Sequence, residues 1–236
     1  MTSNRGSALA AGLLFIVATA AVVGAGIIEP SRAALTDLAQ VGANVDRYAI
    51  AALLYLAAAG TSVGIAVALY PVLRPVSGAV ALGSVVFRTI EAVFYTVAVV
   101  SLLSILRLAA TPAADQAISD GLAGAFASLR DHASLAGVFA FCTGGLLYYA
   151  LFFRARLIPR WLSGWGVVGA VLMLTACVLA VFADRPITGY APLIAPIALQ
   201  EMVLAAWLLA KGFSQQTLES SHEVPGGVLG DSPLRA

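Results

Sequence analysis

The sequence predicts an all-α polytopic membrane protein, a six-transmembrane-helix bundle with short interfacial helices, and two observations carry that reading. Hydrophobic residues make up 61% of the chain and charged residues 11%, with a mean hydropathy of +0.95, whereas a soluble domain carries roughly 25% charge. The apolar residues are also gathered into six blocks. Each is about 20 residues long, enough for a helix rising about 1.5 Å per residue to cross a hydrocarbon core of about 30 Å.

Met1–Ser7 is short and carries Arg5, and Ala8–Ile28 is the first span; it is longer than the h-region of a signal peptide, which argues against that alternative. Glu29-Pro30-Ser31 ends it. Ser31 is placed to cap a short interfacial helix, Arg32–Val41, whose Leu35, Leu38 and Val41 recur at helical spacing. The second span is expected over Ala49–Tyr70, stopped by Pro71, and the third over Val76–Leu108. Thr111-Pro112 reads as a cap and first-turn pair opening Ala113–Leu129, either a second interfacial helix or an extension of the fourth span, Ala133–Phe153. Arg154, Arg156, Arg160 and Trp161 mark a membrane boundary before the fifth span, Trp161–Phe182. Asp184-Arg185-Pro186 turns the chain into the sixth, Tyr190–Leu209, whose start Pro192 and Pro196 should bend. These spans make one domain, residues 1–213. Residues 214–236, rich in Ser, Gly, Pro and acid without apolar periodicity, read as a disordered tail.

Cytoplasmic loops are enriched in Lys and Arg. With six spans, one side holds Arg5, Arg74, Arg154, Arg156, Arg160, Lys211 and Arg235, and the other Arg32, Arg47, Arg107, Arg130 and Arg185. The bias expects both termini on the cytoplasmic side of a bacterial cytoplasmic membrane. The net charge of +1 comes without a basic tract, so no nucleic-acid partner is indicated; membrane lipids are the expected surroundings, and nothing bears on oligomeric state. Cys142 and Cys177 lie in apolar segments with no CxxC or His beside them and read as structural. Of the two histidines, His222 falls in the tail, so neither a zinc nor a haem site is expected, and no cofactor. The turns around Arg74-Pro75 and Pro159-Arg160 echo one another, as in a duplicated hairpin or as any two basic turns followed by small residues would.

The chemistry concentrates in the third span. Arg88 and Glu91 are three apart and so share a helix face, with Ser84 and Tyr95 one turn to either side. A charge in mid-membrane costs about 2.5–3.5 kcal/mol on insertion scales, so such residues turn to the bundle interior and find partners. Tyr55, Thr61 and Ser62 of the second span are available to face them. Arg88 and Glu91 lie about 16 and 21 Å from the start of their span, and Glu201 about 16 Å from the start of the sixth. One arginine beside two glutamates leaves surplus negative charge, so a buried cluster would hold one carboxyl protonated. The candidate ligand-binding residues are therefore Arg88, Glu91, Tyr95, Glu201, Tyr55 and His132, and the candidate acid–base groups Glu91, Glu201 and His132. Glu29 and His132 sit at span ends where an outward mouth would lie. The alternative for Arg88 and Glu91 is an ion pair that sets helix register, and for Glu201 a protonated carboxyl bonding a neighbouring helix.

Several short motifs occur in a telling order: Ala11-Gly12-Leu13-Leu14, Phe87-Arg88 with Glu91-Ala92, His132, Leu157-Ile158-Pro159-Arg160-Trp161-Leu162, then Glu201 with Trp207-Leu208-Leu209 and Lys211-Gly212-Phe213. Over residues 8–213 the chain resembles the bacterial multi-pass membrane family catalogued as domain of unknown function 4386, departing from it at Ile158, where a small residue is expected. The resemblance implies a membrane fold and no activity, with Arg88, Glu91, His132 and Glu201 at the family's polar positions. Two functional classes follow from the residues. One is a binding or transport protein taking a small amphiphile into an intramembrane polar cavity, favoured because the charges are few, central and walled by apolar residues. The other is a membrane enzyme using a buried glutamate as general acid or base on a lipid or isoprenoid substrate; no HExxH, DDxxD or P-loop motif makes it specific.

Overall fold

A computed structural model describes residues 2–28, 31–111, 115–183 and 185–214. Among these, six helices are long and apolar enough to span a membrane: α1 (Thr2–Ile28), α4 (Val45–Leu73), α5 (Gly78–Ala109), α6 (Gln116–Ala155), α7 (Arg160–Ala183) and α8 (Ala191–Ala210). Two short ones, α2 (Arg32–Thr36) and α3 (Leu38–Gly42), lie between the first two spans. The polarity is that of a membrane protein. Leu53, Val93, Phe139, Phe182 and Leu199 are exposed, whereas Ser62, Arg88, Glu91, Gln200 and Glu201 are buried.

The six spans form a closed ring. Each packs on the next in the sequence, and α8 returns to α1. The closing seam runs along Gly12, where an added Cβ would sit 3.1 Å from the Ala205 carbonyl oxygen, so glycine lets the two helices approach. A second close approach joins α7 to α8, with Gly169 against the Ile197 backbone. The α2 and α3 helices cover one end of the ring: Leu35, Leu38 and Val41 pack with Leu102, Ile105 and Leu106 of α5 and with Ala123 and Ala127 of α6.

Several boundaries differ from the sequence expectation. The interfacial helix is two helices because Asp37, itself extended, caps the second through its side chain, which accepts from Gln40 N at 3.1 Å. Pro71 does not stop α4, which runs on to Leu73 at the cost of the ladder bond that an N–H at position 71 would make to the carbonyl of residue 67. Ala133–Phe153 is part of one uninterrupted α6 that begins at Gln116, so of the two readings of Ala113–Leu129 the extension of the fourth span holds from Gln116 on. Its cap is Asp115, accepting from Ala117 N at 2.9 Å, in place of the predicted Thr111-Pro112. Helix α1 begins before Ala8 and draws in Arg5, whose Nη2 donates to the Leu209 carbonyl at 2.7 Å and so satisfies the end of α8. A 3-10 turn, Ile187–Tyr190, precedes α8, with Pro192 in its first turn and Pro196 inside it. Glu29, Pro112, Asp184 and the predicted tail from 215 on, His222 included, lie outside the described residues.

Candidate functional site

Helices α4, α5, α6 and α8 bring polar side chains into the interior of the ring. Arg88 Nη1 lies 3.0 Å from Glu91 Oε2, and both side chains are almost wholly buried. The same carboxylate oxygen accepts a 2.6 Å hydrogen bond from Ser62 Oγ on α4. Thr61, next to it, instead donates to its own helix at the Ala57 and Ala58 carbonyls; of the two hydroxyls only Ser62 points inward.

Room for the arginine comes from α6. A Cβ at Gly144 would lie 3.2 Å from Arg88 Cγ, so the glycine lets the arginine stem lie against the helix while the guanidinium stacks 4.7 Å from the Phe141 ring centroid. Although Arg88 and Glu91 are in charge contact, Arg88 Nε and Nη1 have no hydrogen-bond partner among the described residues. The pair is attractive without being hydrogen-bonded along the donor directions. The Glu201 Oε1 and Tyr148 hydroxyl oxygens are likewise buried and unpartnered among the described residues. Glu201 lies within electrostatic reach of Arg88 and Glu91, and the Tyr148 hydroxyl within reach of Glu201 and Arg88.

Glu201 is held in place by its neighbour. Gln200 accepts from the Tyr149 hydroxyl of α6 and donates through Nε2 to the Leu162 carbonyl of α7 at 3.1 Å. That strut ties three helices together one residue before Glu201. It requires Gly166 of α7, where an added Cβ would lie 2.4 Å from the Tyr149 ring.

The remaining predicted residues occupy a second level. Tyr95 is half-buried, and its ring packs on Gly137 as Arg88 packs on Gly144. The two contacts are seven residues apart on both helices, which sets the antiparallel register of α5 and α6. Beyond Tyr95 toward the α2–α3 end, a cavity of about 10 Å³ is lined by Tyr55, Tyr95, Arg130 and Ser134, room for about one water. Arg130 lies over the Tyr55 ring at 5.9 Å and donates to Asp131 at 3.3 Å. His132 is not brought into the cluster: it is exposed, and its Nδ1 makes a 2.7 Å hydrogen bond with the Ser128 carbonyl of its own helix. By the α5–α6 register it is level with Val100, about 13 Å along the axis from Glu91. Sequence reasoning missed Tyr148, Tyr149 and Gln200. A tyrosine pair inside a span and a glutamine beside a mid-span glutamate were the available signals.

The model of the family described as Domain of unknown function (DUF4386) matches residues 9–212. No curated protein and no solved structure matches the chain. The chain belongs to the DUF4386 family, as an integral membrane protein of six spans.

Proposed function

We propose that this protein binds a small amphiphilic molecule within the membrane, its polar head engaging Arg88, Glu91, Glu201 and Tyr148 and its apolar part lying among the helices. The observation that supports this reading is the set of unpartnered atoms turned into one interior: a guanidinium donor on Arg88, a carboxyl oxygen on Glu201 and a hydroxyl on Tyr148. Buried polar groups are overwhelmingly hydrogen-bonded, and orphans signal function more often than architecture. Together they call for a head that both accepts, to meet Arg88, and donates, to meet Glu201. Tyr95 and Tyr55 continue the polar surface toward the α2–α3 end. The termini face the cytoplasm of a bacterial cell in this reading, because six cations (Arg5, Arg74, Arg154, Arg156, Arg160 and Lys211) gather at the end where the chain starts and the last span finishes.

Mass spectrometry of small molecules retained by detergent-purified protein, run beside thermal unfolding, tests the proposal. The Arg88→Met, Glu91→Leu double variant should fold and lose the retained molecule, and Glu201→Gln, nearly isosteric, should lose it as well. A double variant with wild-type stability and an unchanged ligand profile refutes the proposal and leaves the pair as a register device.

A further inference from the structure

At the end of the ring opposite α2 and α3, an open groove of about 630 Å³ runs between the α6–α7 turn and the end of α8, lined by Arg156, Arg160, Trp207, Lys211 and Ser214 among others. Its floor is built. Leu157, Ile158 and Phe213 are buried, the Phe152 and Phe213 rings pack 5.9 Å apart, and Ser214 N donates to the Leu157 carbonyl at 2.9 Å, fixing the chain beyond α8 to the turn. The three cations of the lining are exposed. Two of them rest on aromatic faces, Lys211 Nζ 4.6 Å from the Trp207 ring and Arg160 5.2 Å from the Phe153 ring, which orients each without neutralising it.

The charge is unbalanced over this whole end. Among the described residues every acid except Glu91 and Glu201 (Asp37, Asp46, Asp115, Asp120 and Asp131) belongs to the opposite half of the bundle. Trp161, more than half exposed, stands beside the groove, and tryptophans concentrate at headgroup depth. Arg156 adds a further sign of selection. It ends α6 in the left-handed region at φ 49°, where helices normally place glycine, so a cation occupies a position whose backbone favours the residue with no side chain. Strained backbone of this kind clusters at functional sites.

We infer that this groove is a binding site for the phosphate headgroup of an anionic phospholipid, with Arg156, Arg160 and Lys211 meeting the phosphate and the adjoining aromatic residues the glycerol and upper acyl region. Basic pockets between spans bind anionic headgroups in this way, and the position of the groove at one end of the ring puts it level with the lipid phosphates.

The test uses the full chain in neutral detergent, titrated with phosphatidylglycerol or phosphatidylcholine and read by native mass spectrometry, with the thermal midpoint measured alongside. Wild type is expected to retain phosphatidylglycerol at least tenfold better than phosphatidylcholine, and Arg160→Gln with Lys211→Gln to abolish that preference. Arg156→Gly separates binding from folding: it should weaken phosphatidylglycerol retention several-fold with the midpoint unchanged or raised, because glycine relieves the left-handed strain. A lipid preference unchanged in both variants overturns the inference. So does displacement of the lipid by millimolar inorganic phosphate, which would make this a site for a free anion. A tenfold gain in lipid binding on Glu219→Gln, Glu223→Gln and Asp231→Asn together would identify the chain's own acidic tail as the occupant and also overturn it.

Discussion

The Arg88–Glu91 pair should behave as one unit in a double-mutant cycle. At the observed 3.0 Å, two unit charges attract by about 5.5 kcal/mol at an effective dielectric constant of 20. Breaking a buried pair by removing one member costs about 3–5 kcal/mol, because the survivor is left charged and desolvated. Glu91→Leu leaves Arg88 with the more distant Glu201 as its remaining partner, which places the cost near the lower end of that range. Arg88→Met leaves Glu91 with the Ser62 hydroxyl and a second carboxylate within reach, which places it near the upper end. The double variant removes both charges and frees Ser62 to donate to its own helix, as Thr61 already does, so its net cost should be about 1 kcal/mol or less. The coupling energy is then about 5–7 kcal/mol, the two single losses less that of the double variant. Denaturant unfolding of the four proteins in one detergent, followed by tryptophan fluorescence, measures it. Additivity within about 0.5 kcal/mol would refute the electrostatic account.

Ser62→Ala should cost about 1.5–3 kcal/mol, the usual worth of a hydrogen bond to a charged group, while Thr61→Ala should be nearly neutral in the same unfolding assay. Gly166→Ala forces a methyl into the Tyr149 ring and is expected to lower stability by about 1–3 kcal/mol; a thermal midpoint equal to wild type would mean that α7 stands off from α6. Tyr149→Phe should cost about 1–3 kcal/mol by leaving Gln200 Oε1 unsatisfied, detectable by thermal unfolding and by faster amide exchange at the start of α7. Cysteines at Ser3 and Ser220 should label only after the cells are permeabilised, and those at Ser31 and Ser119 without it; the opposite pattern would invert the proposed orientation.

The spans were legible because membrane crossing is a matter of length and hydropathy, both written locally in the chain. The polar face of α5 was legible for the same reason, since a three-residue spacing puts Arg88 and Glu91 side by side whatever surrounds them. What periodicity does not carry is rotation of one helix against another. It offered Thr61 and Ser62 equally, and only packing on α5 selects the serine. It placed His132 among the candidates, and the α5–α6 register leaves that residue exposed and about 13 Å along the axis from Glu91. The Tyr149–Gln200–Leu162 strut joins three helices that are remote in sequence, so no local pattern announces it. The split between α2 and α3 turned on a second cap, Asp37, that follows the expected Ser31 cap, and the start of α6 on Asp115, where Thr111 was equally plausible in sequence.

The closed ring imposes an order of assembly. Spans enter the membrane in sequence, so α5 arrives with its two charges long before α8, the helix that brings Glu201. Had Arg88 found its counter-charge only on the last span, a lone cation would wait in the bilayer while three further segments were made. The partner one turn away on the same helix removes that wait: α5 can enter as a locally neutral segment, helped by Ser62 on the span before it. Glu201 then comes last, on the helix that meets α1 at Gly12 and seals the circle, so the polar interior is completed only when the wall around it closes.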